Sequence, residues 1–245
     1  MGRHATVAGR MASSAAAKGK IFTKLTREIM VASRSGGDPA FNARLRLAVE
    51  RAREQNMPKE NIDRAVKKGT GELEGMIFED ITYEGYGPGG SAIMVETMTD
   101  NRNRTNPELR RIFQKGGGNI GEMGSVGWMF KKKGVIEINS GAMTEDKIME
   151  IALDAGADDV VNDEEFFTVY TEATQFAAVR EAISKSGLAI RKSGLELIPD
   201  TTVKLTGETA KQALELLAKL EDYDDSQNVF HNFDIDSSEL DILLG

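Results

Sequence analysis

The chain has 245 residues, of which 29% are charged, 40% hydrophobic and none cysteine, with a formal net charge of −8. That length can bury a true core and points to more than one domain. The absence of cysteine excludes a disulfide framework, a thiol nucleophile and thiolate metal ligation, and no apolar run approaches the ~18 residues of a membrane span.

The opening "MGRHATVAGRMASSAAAKGK" has no apolar signal core. Its Ala, Ser and Arg content is shared with organelle transit peptides, but it lacks their regular apolar spacing and reads as a loosely ordered basic arm with Arg3, Arg10 and Lys18. In "KGKIFTKLTREIMVASRSGG", Ile21, Phe22, Leu25, Ile29 and Ala32 recur at helical spacing, and Lys20, Lys24, Arg27 and Arg34 form a second stripe beside them. "PAFNARLRLAVERAREQN" predicts a second helix with Phe41, Leu45, Ala48 and Ala52 toward the core. "MPKENIDRAVKKGTG" predicts a short third, with Pro58 in its first turn and Gly69 at its exit.

From residue 77 the period becomes that of strands. "IFEDITYEGYG" and "SAIMVETMT" predict a hairpin around "GPGG", followed by a helix at about 106–115 and a strand at "SVGWMF". Residues 134–198 then run βαββαβ, the ferredoxin-like order. "TTVKL", a helix over 207–221 and "NVFHNFDI" complete the interrupted unit before it. The expected fold class is α+β with three domains. These are a basic helical domain with its arm (1–76), a discontinuous ferredoxin-like α/β domain (77–132 with 199–245), and an inserted acidic ferredoxin-like domain (133–198).

Charge divides along the same lines. Residues 1–71 hold 15 Lys and Arg against 6 Asp and Glu, whereas residues 135–245 hold 8 against 24. Such asymmetry is a statement about partners. The basic third is the usual electrostatic footprint of nucleic-acid binding, although a charged helix face is also ordinary solvated surface. The acidic half fits a protein partner, or simply solvates the molecule.

"GYGPGG" matches G-x-G-x-x-G, but a dinucleotide loop must open a helix and this one precedes a β-rich run. "FFTVYTE" falls where RNA-recognition sheets display aromatics. Residues 134–198, however, carry 5 cations against 13 acids, so Phe166, Phe167, Tyr170 and Phe176 read as packing. His4 and His231 are the only histidines and have no metal-ligand spacing, while acid pairs such as Asp158/Asp159 and Asp224/Asp225 read as surface charge. No catalytic residue, metal or cofactor is expected.

One stretch carries more. In "TDNRNRTNPELRR", Thr105 to Glu108 fits a capping box with Thr105 as N-cap. Arg102 and Arg104 then approach a helix N-terminus, which favours anions, with Asn101 and Asn103 beside them and Lys115 at the far end. A phosphate-contacting loop is one reading; the other is a capped loop whose arginines pair with nearby acids.

Taken in order, residues 19–72, "YEGYGPGG", "TDNRNRT", "GGNIGEMGSVGWMF" and "LEDYDDSQNVFHNF" resemble the YebC/PmpR family, which includes the mitochondrial translational activator of cytochrome c oxidase subunit I. The resemblance covers about residue 18 to the end. It implies three domains, one inserted in another, and a cytoplasmic, non-enzymatic regulator of gene expression without cofactor. In one view of the family the partner is DNA, and in the other it is ribosomal RNA, with relief of stalling at difficult peptide bonds such as polyproline. Lys20, Lys24 and Arg27 and the loop 101–104 are the matching positions. The arm departs from the family pattern: it has no tryptophan, and Arg10 is its only cation between His4 and Lys18.

Overall fold

The computed structural model describes residues 15–139, 144–162 and 166–244. Three helices come first: α1 (Ala15–Ser33), α2 (Ala43–Glu54) and α3 (Lys59–Thr70). Leu25, Ile29 and Ala32 of α1 pack with Leu45, Ala48, Val49 and Ala52 of α2 and Ile62 and Ala65 of α3 in one buried cluster. Each Leu or Ile so buried contributes about 1.5–3 kcal/mol.

Two expectations are corrected here. Asn42 caps α2, its Oδ1 accepting the Leu45 N–H at 3.0 Å, so Phe41 falls on the preceding turn and is 92% exposed. The third helix leaves through Gly71, at φ 84, and Gly69 lies inside it. A Cβ on Gly69 would sit 2.2 Å from the Met30 carbonyl oxygen, so glycine is what lets α3 cross α1 closely.

The hairpin follows as β1 (Glu79–Tyr86) and β2 (Ala92–Thr99), then α4 (Arg102–Lys115) and β3 (Asn119–Ile120). After one 3₁₀ turn at Gly127–Met129 come β4 (Phe130–Asn139), α5 (Glu145–Asp154), β5 (Asp159–Asn162), β6 (Phe166–Glu172), α6 (Phe176–Lys185) and β7 (Ile190–Pro199). The chain closes with β8 (Val203–Lys204), α7 (Gly207–Asp222), β9 (Ser226–His231), β10 (Phe233–Asp234) and α8 (Ser237–Leu244), the last a helix the sequence reading does not foresee.

The described residues divide into two compact units, with Gly127–Thr202 dominating one and the residues from Ala15 to Val126 and from Val203 onward forming the other. In the larger unit the strand order is β3-β1-β2-β9. Ile93 and Val95 of β2 meet Leu109, Ile112 and Phe113 of α4 and Leu216 and Leu220 of α7, so both helices cover one face of the sheet. Met98, which alternation places on the other face, joins the three-helix core. "TTVKL" does not extend this sheet: β8 pairs only with β10, in parallel. Nor is "SVGWMF" a strand up to Phe130. The buried Glu84 carboxylate accepts the N–H groups of Gly124 (2.7 Å) and Val126 (2.8 Å), which fixes those residues as a loop. "GYGPGG" is a β-turn-β passage, and a Cβ on Gly85 would lie 2.7 Å from the Asn119 carbonyl oxygen.

The smaller unit has strand order β5-β6-β4-β7, all pairs antiparallel, which is the ferredoxin-like arrangement. Phe166 and Phe167, on opposite faces of β6, are both buried, as is Phe176. These aromatics pack rather than present themselves to a base.

Candidate nucleic-acid interface

Helix α4 begins earlier than a Thr105 cap would allow. Asn101 has extended backbone and its Oδ1 accepts the Arg104 N–H at 3.1 Å, making Asn101 the N-cap. Thr105 is fully buried inside the first turns. Its hydroxyl lies 2.8 Å from Asp225 Oδ2 and 2.7 Å from the Thr99 hydroxyl. Glu108 does not reach back to a cap; it pairs with Arg111 one turn on.

Asp225 is the hub of this region and only 2% exposed. Arg104 Nη2 donates to it at 2.8 Å and to Asp100 at 2.9 Å; Arg27 approaches at 3.3 Å, and the Tyr223 hydroxyl donates at 3.2 Å. Burial pushes the Asp225 carboxyl upward, but hydrogen bonds from Arg104 and Thr105 outweigh it and hold the group below the usual carboxylate range. The same bonds, first to Asp225 and then to Asp100, raise the Arg104 guanidinium further above its ordinary value. The reading of Asp224/Asp225 as surface charge is therefore corrected for Asp225. A buried carboxylate needs such donors, and they come from residues 99 to 105 and from Arg27, far away in sequence.

The α1 stripe faces the same acidic segment. Lys20 pairs with Asp222, Arg27 donates to the Asp224 carbonyl, and Lys24 Nζ donates to the carbonyls of Glu221 (3.2 Å) and Gln227 (3.5 Å). Burial lowers the Lys24 ammonium below its ordinary value, the nearby Glu221 opposing it only in part. Arg27 also stands 5.2 Å above the Phe78 ring, and Arg34 donates to the Phe78 carbonyl at 3.0 Å. Of the residues singled out from sequence, Lys20, Lys24, Arg27 and Arg104 thus gather around residues 221–227. Arg102, 67% exposed, lies 3.4 Å from Glu79; Asn103 is exposed; Arg3, Arg10 and the Lys18 side chain fall outside the described residues.

What stays open is the outer surface of α4. Its 14 residues carry five cations and one acid. Arg110 and Lys115 form no hydrogen bond or ion pair among the described residues. Beside α4 lies a cleft of about 930 Å³, with Lys20, Arg111, Lys115 and Lys219 among its lining cations and Ile112, Ala218 and Tyr223 also lining it. Glu215, Asp222 and Asp224 share the lining, so the cations rather than the cleft as a whole favour an anion. Sequence reasoning passed over Arg110 and Lys219; the signal for Arg110 was its place on a helix with a single acid.

Among the described residues no group of three or more His, Cys, Asp or Glu is arranged to hold a metal ion, and His231 stacks on Phe233 at 3.8 Å. No helix among them is long and apolar enough to cross a membrane.

Comparison with known proteins gives the family. Residues 2–72 match the model of the TACO1/YebC protein N-terminal domain, and residues 78–233 match that of the TACO1/YebC second and third domain. A probable transcriptional regulatory protein of Geobacter sulfurreducens is 52% identical over 240 residues, covering 98% of this chain and 97% of the relative. One from Trichlorobacter lovleyi is 50% identical with the same coverage. The crystal structure of a conserved hypothetical protein from Aquifex aeolicus superposes with a TM-score of 0.84 at 45% identity, covering 96% of this chain and 95% of that one. With both models and full-length relatives in agreement, the chain belongs to the TACO1/YebC family.

Proposed function

We propose that the protein is a non-enzymatic regulator of gene expression that binds nucleic acid, its phosphates held by the open cations of α4 and the neighbouring cleft rim. The observation that carries this is the charge of α4: five cations to one acid, with Arg110 and Lys115 unpaired among the described residues. Phosphate contacts of this kind supply most non-specific affinity and make it salt-dependent. Lys24, Arg27 and Arg104 support the surface by tying α1 and α4 to residues 221–227, while Lys20, which lines the cleft, is held by Asp222. The names of the relatives favour DNA and transcription. A ribosome-bound translation factor in the cytoplasm would use the same cations on ribosomal RNA.

Gradient sedimentation of lysate at low and moderate salt, comparing the native chain with a Lys115→Glu/Lys219→Glu variant, tests the proposal. Salt-sensitive migration with nucleoid material, lost in the variant, is the expected result. Migration with ribosomes, lost in the same variant, would move the function to translation. Free migration of both chains at both salts would overturn nucleic-acid binding.

A further inference from the structure

The outward face of α4 differs in kind from its flanks. Asn103, Asn106, Arg110 and Gln114 recur at spacings of three and four residues, which at 3.6 residues per turn places them within about an 80° sector. All four are exposed, and none of their side chains makes a hydrogen bond among the described residues. No acid and no lysine interrupts the row; Pro107 is the other residue on that face. Beside the row, on one edge, stand Arg104, bound to Asp100 and Asp225, Arg111, paired with Glu108, and Lys115; on the other stands the exposed Arg102, 3.4 Å from Glu79.

An ordinary solvated helix face mixes Glu with Lys or Arg in pairs that support the helix. This row instead holds the side chains whose paired donors and acceptors match base edges: Arg for the O6 and N7 of guanine, Asn and Gln for the N6 and N7 of adenine. Cations along both edges are where the phosphates of a groove-bound helix lie. From Asn103 to Gln114 the row extends about 16 Å at 1.5 Å per residue, which is about five base-pair steps of 3.4 Å.

We propose that α4 enters the major groove of duplex DNA and that Asn103, Asn106, Arg110 and Gln114 read its bases, with Arg102, Arg111 and Lys115 on the flanking phosphates. This deepens the nucleic-acid reading above and rests on it: it assigns sequence discrimination to one helix face and a duplex as its ligand. It also gives the Asp225 hub a purpose. The bonds from Arg104 and Thr105 to a buried carboxylate fix the first turn of α4, so the row is presented from a rigid element.

The test uses the full chain and a pool of randomised DNA duplexes, from which bound sequences are recovered and their affinities measured against salt. A preferred site of about five base pairs is expected. Arg110→Ala should then lose roughly tenfold to hundredfold discrimination at one guanine, with other positions unchanged. Asn106→Ala should do the same at an adenine, while Lys115→Ala should weaken all sequences alike and lower the salt slope by about 0.9. A pool that binds without any preferred sequence would overturn base reading and leave phosphate binding standing. A preferred sequence indifferent to all four alanine substitutions would place the reading elsewhere and overturn the assignment. No duplex binding even at low salt, with melting temperatures of all variants native-like, would overturn the inference and the DNA form of the function together.

Discussion

Helices α1 and α4 look alike as strings of letters, each a basic stripe beside an apolar one, yet the fold uses them oppositely. Lys20, Lys24 and Arg27 of α1 are engaged by residues 221–227, whereas Arg110 and Lys115 of α4 stay open to solvent. The difference lies in where the counter-charge sits. For Lys20, Lys24 and Arg27 it lies some 200 positions along the chain, at the acidic end of α7 and in the turn after it. A basic stripe thus stops being a binding surface when an acidic segment of the same chain packs along it, and that is a property of topology.

The largest way to break this contrast is to remove its hub. Asp225→Ala leaves Arg104, Arg27, Thr105 and Tyr223 without their common acceptor; Arg104 is half exposed and keeps Asp100, so the loss falls mainly on the buried Thr99 and Thr105 hydroxyls and is about 1–3 kcal/mol. Urea unfolding should show that loss. An Asp225→Ala protein as stable as the native one would mean the network does not hold α1 and α4 together.

Acid should reproduce part of the effect. Because the folded Asp225 carboxyl titrates below its unfolded value of about 3.9, its contribution is complete above that pH and disappears as pH falls through the folded value. The native chain should therefore lose more stability than Asp225→Asn on going from pH 5 to about pH 3; equal losses would contradict the assignment.

How much of this was legible beforehand follows from the range of each signal. Helical and strand periods are local, so the three helices, the hairpin and the βαββαβ run could be read directly from residues such as Leu25, Ile29, Val95 and Ile136. Elements set by distant partners could not. Thr105 has the chemistry of an N-cap, but a carboxylate 120 residues away claims its hydroxyl. "SVGWMF" has the composition of a strand, but Glu84 ties its first residues into a loop. Two-residue strands such as β8 and β10 carry too little pattern to assign to a sheet. Within the candidate site, the basic character of α4 was visible and the engagement of Lys24, Arg27 and Arg104 was not.

Smaller perturbations sharpen the contrast further. Lys20 and Asp222 are exposed, so Lys20→Ala should cost no more than about 1 kcal/mol in thermal unfolding. Lys24→Met should do less still. It removes a half-buried ammonium whose hydrogen bonds among the described residues go to backbone carbonyls, and a melting temperature within a few degrees of native is expected. A large drop would show that those carbonyls depend on the Lys24 ammonium.

The most direct measurement is the salt dependence of duplex binding for three chains: native, Lys20→Ala, and Arg102→Ala/Arg111→Ala/Lys115→Ala. If α4 is the contact surface, the triple variant loses about 0.9 in log–log slope for each phosphate contact removed, while Lys20→Ala keeps the native slope. A native slope in the triple variant, with the loss falling on Lys20→Ala, would contradict the account and return the interface to α1.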